Sequence, residues 1–117
     1  MKTILLISGI VGVALSIACG GSAIPVTKVA DSKATIRAAE EAGAKSNPQA
    51  ALHLKMAQDQ LNQAQVYVND DENERAALFL NQSQADAELA LALAHEAKER
   101  NATKLAQARL QTLQSGR

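Results

Sequence analysis

The chain has 117 residues, which limits it to one small domain, and its only aromatic residues are Tyr67 and Phe79. Bulky aromatic rings line most small-molecule pockets. A chain with only two aromatic residues is therefore not expected to contain a deep ligand cleft. The 12 basic and 12 acidic side chains balance to a net charge of +0, so no net field recruits nucleic acid or an anionic surface. Alanine, Gln, Glu, Lys and Leu dominate the composition, which favours long helices and an all-α fold.

The first 18 residues have the three parts of a secretory signal. Lys2 supplies the charged start, residues 4–17 form the apolar middle, and Ala18 is a small residue at the cleavage position. The apolar run is too short for a membrane-spanning helix before Cys19 ends it. We therefore predict a signal peptide over 1–18 that is cleaved between Ala18 and Cys19.

Cys19 is the only cysteine in the chain, so it cannot form an intramolecular disulfide. It lies in the stretch Leu15-Ser16-Ile17-Ala18-Cys19-Gly20, which resembles the lipobox of bacterial lipoproteins, with Ser16 where that class most often has Leu. The resemblance implies that Cys19 becomes the mature N-terminus and carries a lipid such as palmitate. Gly20, where some lipoproteins have Asp, implies sorting to the outer membrane, facing the periplasm. The alternative is a cysteine discarded with the signal.

The rest of the chain divides into a tether and a helical domain. Residues 19–26 contain two glycines, a serine and a proline, a composition typical of a flexible tether. The domain, residues 27–117, is predicted to contain helices over about 27–43, 48–69 and 72–114.

Local signals predict where these helices begin and end. Gly43 ends the first helix, as glycine commonly does at a helix C-terminus. Asn47 is suited to cap the second helix, and Pro48 fits its first position, where no amide donor is needed. Asp71, followed three residues later by Glu74, predicts a capping box at the start of the third helix.

The second and third helices carry residues at alternating spacings of three and four, which is the pattern of a helix-packing seam. The seam of the second helix is Ala50, Leu54, Ala57, Leu61, Ala64 and Val68. The seam of the third helix is Ala77, Leu80, Gln84, Ala87, Leu91 and Ala94. Antiparallel helices pair residues whose numbers have a constant sum, which places Leu61 opposite Leu80 and Ala57 opposite Gln84. The seams therefore predict an antiparallel hairpin.

The first helix can be placed in two ways. Residues 85–94 are apolar around most of the helix circumference, and the first helix would cover them by folding back into a three-helix bundle. In the alternative, the first two helices run end to end against a third helix about 60 Å long, which puts Ile36 opposite Leu105. The glycine and proline between the first two helices favour a reversal, so we predict the bundle.

Charge is unevenly distributed along the domain. The acidic residues crowd the turn before the third helix: Asp70, Asp71, Glu72 and Glu74. The basic residues dominate the C-terminal end: Lys98, Arg100, Lys104, Arg109 and Arg117. Such runs usually form a solvated helix face, and contact with anionic lipid headgroups or an acidic envelope polymer is the alternative. From about Asn101 the apolar stripe is thinner, which predicts an end that projects or frays.

The candidate chemical groups do not converge. The two histidines, His53 and His95, lie opposite Glu88 and Ser46 in this register, several residues apart along the hairpin, so a shared metal is not expected. Carboxylates such as Asp86 and Glu88 are near neighbours on one helix and point apart. No serine or cysteine has a base at a readable spacing, and no glycine-rich phosphate loop is present. We therefore expect no catalytic residue, no metal site and no cofactor.

The two Ala-rich segments on either side of the acidic turn, residues 54–64 and 74–90, resemble a family of small alanine-rich bacterial envelope lipoproteins classified as a domain of unknown function. Some members of that family are fused to OmpA-like peptidoglycan-binding domains. The resemblance covers about residues 27–97. Where the family often has Gly-Asp-Tyr at the turn, this chain has Asn69-Asp70-Asp71. The family carries no known catalytic residues to transfer.

Together these features predict a lipid-anchored, non-catalytic envelope protein. The lipid on Cys19 holds it to the membrane, and its helical surface contacts an envelope protein or peptidoglycan, with no role in nucleic-acid binding. The alternative is a soluble exported helical protein that self-associates or binds a ligand between its helices, with Cys19 incidental. The sequence leaves the partner and the oligomeric state open.

Overall fold

A computed structural model describes residues 26–116, and this part of the chain forms three α-helices and no strand. Helix α1 covers Val26–Glu41, α2 covers Pro48–Asn69 and α3 covers Asn73–Ser115. A single 3-10 turn, Ala44–Ser46, lies between α1 and α2. The predicted all-α fold is confirmed.

The link between α1 and α2 reverses the chain, and the predicted roles of Gly43 and Asn47 are both present. Gly43 has a φ of +93°, a left-handed conformation that disfavours residues with a Cβ atom, and its amide donates to the carbonyl of Glu40 at 3.0 Å. The side-chain oxygen of Asn47 accepts hydrogen bonds from the amides of Gln49 at 2.9 Å and Ala50 at 3.1 Å. Asn47 therefore caps α2 as predicted, with the following proline at the first helical position.

The turn between α2 and α3 differs from the prediction. Asp71 has a φ of +58°, and it ends α2: the Glu72 amide donates to the Tyr67 carbonyl at 2.9 Å, and the Asp71 amide donates to the Val68 carbonyl at 3.3 Å. Glu72 is the N-cap of α3 and makes no side-chain capping bond. The predicted capping box of Asp71 and Glu74 is wrong, because the backbone of Asp71 is committed to terminating the preceding helix.

Helices α2 and α3 form the predicted antiparallel hairpin, but α3 is rotated relative to the prediction. The buried residues of α2 are Ala50, Leu54, Ala57, Leu61 and Ala64. The buried residues of α3 are Ala76, Leu80, Ser83, Ala87, Ala90 and Ala94. Three predicted seam residues of α3, Ala77, Gln84 and Leu91, are therefore only partly buried. Val68 is also wrongly assigned to the seam, since it lies in the exposed last turn of α2.

The rotation of α3 follows from its having two neighbouring helices. The hydroxyl of Ser83 faces α2 and donates to the carbonyl of Ala57 at 2.8 Å. The next residue, Gln84, faces α1, where its amide donates to the hydroxyl of Thr35 at 3.1 Å. At three positions of α3 the fully buried residue is therefore the one before the predicted residue: Ala76, Ser83 and Ala90 are buried in place of Ala77, Gln84 and Leu91.

Side-chain contacts fix the direction of α1. It is antiparallel to α2, where the Gln58 amide donates to the Glu40 carboxylate at 3.0 Å. It is parallel to α3, because Ser32 contacts the carbonyl of Leu80 at 3.5 Å and residue numbers rise together along both helices. The three-helix bundle is therefore confirmed.

The end-to-end alternative is wrong. Ile36 and Ala39 of α1 are buried within the bundle, whereas Leu105, the residue that the alternative placed opposite Ile36, is 66% exposed. The reversal at Gly43 brings α1 against the first half of α3 and leaves the second half without a partner in the described chain.

The core consists mostly of small residues. Nine of the thirteen buried apolar residues between positions 26 and 116 are alanines, and the larger ones are Ile36, Leu54, Leu61 and Leu80. Alanines allow close approach of the helix backbones, but each buries little apolar area. The stability of the bundle therefore depends on close packing and on hydrogen bonds between helices.

Candidate interaction surface

The predicted cleavage and lipidation positions, Ala18 and Cys19, lie outside the described residues, as do the signal over 1–18 and most of the tether. Their roles stay predictions. Between residues 26 and 116, no helix is both long enough and apolar enough to cross a bilayer.

Asp86 links α2 and α3 through two polar contacts. One of its carboxylate oxygens is 2.8 Å from Nδ1 of His53, and the other accepts a 2.8 Å hydrogen bond from the side-chain amide of Gln60. The register expected from the sequence, with Glu88 opposite His53, is wrong, because the rotation of α3 turns Asp86 toward α2. The side-chain oxygen of Gln60 is buried and has no hydrogen-bond partner among the described residues.

This polar group lacks the composition of a metal centre. His95 is exposed and does not join His53. Across residues 26–116, no three His, Cys, Asp or Glu side chains come together in an arrangement that could hold a metal ion. The His53–Asp86 contact links α2 to α3.

Two serines are buried among residues 26–116, and both are used in helix packing. Ser83 donates to the carbonyl of Ala57, and Ser32 lies 3.5 Å from the carbonyl of Leu80. A nucleophilic serine needs an accessible oxygen and a neighbouring base. Neither hydroxyl has this arrangement, since each is enclosed between helices and directed at a backbone carbonyl.

The two aromatic residues pack against each other at the α2–α3 end of the hairpin. The rings of Tyr67 and Phe79 lie 5.3 Å apart between centroids, and the guanidinium of Arg75 lies 5.7 Å from the Tyr67 ring. These distances suit aromatic and cation–π contacts. The aromatic side chains therefore stabilise the α2–α3 turn.

The longest run of exposed residues between positions 26 and 116 includes the C-terminal part of α3, residues 98–115, which we name the projecting segment. It is helical to Ser115, and every residue in it is exposed. Three leucines are prominent: Leu105 is 66% exposed, Leu110 58% and Leu113 71%. The predicted projection is present, and the segment is helical as far as Ser115.

The projecting segment is also basic. It contains four cationic side chains and one anionic one. Arg100 forms an ion pair with Glu96 one turn earlier, whereas Lys98, Lys104 and Arg109 form none within residues 26–116. The last turn of α3 contains no basic residue, whereas its first turn contains Glu74, which opposes the positive end of the helix dipole. The helix dipole therefore does not account for the cations of the projecting segment.

A groove of about 460 Å³ lies where α1 and α2 stop and α3 continues. The α1–α2 link forms one wall, with Ala42 and Gly43, and α3 forms the other, with Ala94, Ala97 and Leu105. Small residues on both walls allow another backbone to approach closely. The groove continues the bundle interior onto the projecting segment.

The comparisons with known proteins identify the domain. The family model described as Domain of unknown function (DUF4398) matches residues 27–106, which spans all three helices and the first part of the projecting segment. Searches of curated proteins and of solved structures each find no match. The chain therefore belongs to the family described as Domain of unknown function (DUF4398).

Proposed function

We propose that this protein is a lipid-anchored, non-catalytic envelope protein that presents its helical surface to an envelope protein or to the cell wall. The observation that carries the proposal is the placement of the two ends of the domain. Because α1 is parallel to α3 and Ser32 contacts Leu80, the start of α1 is level with the first turn of α3. The tip of α3 lies about 60 Å farther along, at ~1.5 Å per residue.

This geometry separates an anchor from a display surface. A tether over 19–26 reaches at most about 25–30 Å when fully extended, at ~3.5 Å per residue. A lipid on Cys19 would therefore keep the acidic α2–α3 turn within reach of the membrane, and it would allow the projecting segment to extend much farther from it. Acyl chains contribute ~0.8 kcal/mol per buried methylene, so more than one long chain retains a small domain firmly.

The non-catalytic part of the proposal is supported by how the polar side chains are used. His53, Gln60 and Asp86 bond to one another across two helices, and Ser83 bonds to a backbone carbonyl. These groups stabilise helix packing and do not face a common cleft. The proposed location is the outer membrane, facing the periplasm, on the basis of Gly20 after the cysteine.

The test is the chemical state of the mature N-terminus. Mass spectrometry of the native protein should find a peptide that begins at Cys19 and carries acyl groups, and fractionation should place the protein with the outer membrane. Cys19→Ala should abolish the acyl adduct and membrane retention, whereas the tether variant Ser22→Ala should keep both. A native protein that begins elsewhere, or carries an unmodified cysteine, would contradict the proposal.

A second candidate function is a free exported protein that self-associates. The exposed Leu105, Leu110 and Leu113 favour it, because self-association would bury them. It predicts an unacylated Cys19 and a sedimentation mass above that of the monomer. Acylated, monomeric protein would exclude this candidate.

A further inference from the structure

The uncovered half of α3 is the feature that the proposed function leaves without a defined partner. Helix α3 has 43 residues, whereas α1 has 16 and α2 has 22. Both shorter helices stop at the α1–α2 link, so the interior face of α3 continues past them. We propose that the projecting segment binds an amphipathic helix of another protein, one whose apolar stripe is flanked by acidic residues, in the position that α1 and α2 occupy along the first half of α3.

The apolar part of the projecting segment continues the core. Leu105 follows the buried Ala87 by 18 residues, which is about five helical turns, so both lie on the same side of α3. Beside Leu105 lies the groove between Gly43 and Ala97, whose small residues admit a helix backbone. An apolar stripe on the partner would cover Leu105 and extend the helix packing of the bundle.

The charges select an acidic partner. Lys98 and Arg109 are 11 residues apart, about three turns, and so flank Leu105 on the same side of the helix. Neither forms an ion pair among the described residues. Acidic side chains on a docked helix would pair with both cations and guide its approach.

The same charges count against other occupants. A second copy of the projecting segment would bring four cations against four cations in either orientation, with one anion on each side. A highly charged polymer would pair with Lys98 and Arg109 but leave Leu105 uncovered. An anionic membrane could bury leucines and attract cations, so the test includes it as an outcome.

The test uses two synthetic peptides with the full chain in detergent. Both are heptad-repeat helices with Leu at the a and d positions, one with Glu and the other with Lys at e and g. We expect the Glu peptide to bind at least about tenfold more tightly than the Lys peptide at low salt, and this preference to shrink as salt screens the charges. Equal affinity for the two peptides would overturn the proposal.

A variant locates the binding site. The substitution L105Q keeps a good helix former and should weaken binding of the Glu peptide by at least about tenfold, because Leu105 lies on the interior side of α3. The matched control L52Q with L78Q removes leucines of 58% and 54% exposure from the bundle, and it should leave binding unchanged. Equal losses in the two variants would overturn the proposal.

Two further measurements test the competing occupants. Sedimentation of a dimer that L105Q abolishes would assign the surface to a second copy and overturn the proposal. Uptake of the Cys19→Ala chain by vesicles of anionic phospholipid, abolished by the same variant, would assign it to a membrane and also overturn it. The inference that the projecting segment lies far from the membrane rests on the proposed function, because it requires the lipid on Cys19. Binding of the Glu peptide does not require the lipid. An unacylated Cys19 with intact peptide binding would therefore refute only the anchoring.

Discussion

The hydroxyl of Ser83 on α3 donates a 2.8 Å hydrogen bond to the backbone carbonyl of Ala57 on α2, and both residues are fully buried. This bond joins the backbone of one helix to a side chain only two atoms long on the other. It therefore requires the close helix approach that an alanine-rich interface allows, and it marks the register of the hairpin.

Substitution of Ser83 tests this close approach. Ser83→Ala removes one buried hydrogen bond and should lower the free energy of unfolding by about 1 kcal/mol. Ser83→Leu must also force the helices apart and should cost about 1–3 kcal/mol or more. Urea unfolding followed by far-UV circular dichroism measures both. The exposed neighbour variant Gln82→Ala should stay within about 0.5 kcal/mol of the parent. A Ser83→Leu chain as stable as the parent would contradict the observed rotation of α3.

A double-mutant cycle can distinguish the observed contact of His53 with Asp86 from the register expected from the sequence, which placed His53 opposite Glu88. A double-mutant cycle of His53→Ala with Asp86→Ala should give a coupling energy of about 0.5–1.5 kcal/mol, because the two side chains lie 2.8 Å apart. The cycle with Glu88→Ala should give a coupling near zero. Unfolding free energies of the single and double variants supply both values. A larger coupling to Glu88 would restore the register expected from the sequence.

The conformation of Asp71 distinguishes a left-handed turn residue from a helix cap. Because its φ is +58°, Asp71→Gly should be neutral or stabilise the protein by up to about 1 kcal/mol, whereas Asp71→Ala should destabilise it by about 1 kcal/mol relative to the glycine variant. Thermal unfolding reports the order of the three proteins. If Asp71 instead capped α3, both substitutions would destabilise it, and glycine would offer no advantage over aspartate.

The projecting segment should be dispensable for the stability of the bundle. Deletion of residues 98–117 removes no buried side chain in the described range, so the free energy of unfolding should change by less than about 1 kcal/mol while helical circular dichroism falls in proportion to the residues lost. The deletion should also abolish binding of the Glu peptide. Loss of cooperative unfolding after the deletion would show that the segment contributes to the core.

Much of the fold can be predicted from periodicity and local signals. The three-and-four spacing from Ala50 to Ala64 identifies the buried side of α2. The side chain of Asn47 caps the start of α2, and the backbone of Gly43 adopts a left-handed conformation after α1, so both residues act on nearby parts of the chain. Such features depend on neighbours along the chain. They can therefore be deduced without knowing what packs against each helix.

The errors concern α3, where more than one helix competes for the same surface. An apolar spacing alone cannot distinguish a stripe centred on Ala77 and Leu91 from one centred on Ala76 and Ala90, because alanines are abundant on several sides. The contacts of α1 decide between them. Once α3 is rotated, Asp86 rather than Glu88 meets His53. Asp71 was misassigned for a related reason, since its residue type suits both a cap and a left-handed turn.

The sequence by itself determined that the described chain is helical, where its main reversal lies and which face of α2 is buried, because helix propensity, capping and periodicity are local properties. Only the tertiary structure decided that α1 is parallel to α3, that Asp86 and Ser83 link the helices, and that the last 18 helical residues of α3 have no partner within the bundle. These relationships depend on how three helices pack around one small core. The spacing of residues along a single helix does not specify which part of its surface contacts each of the other two helices.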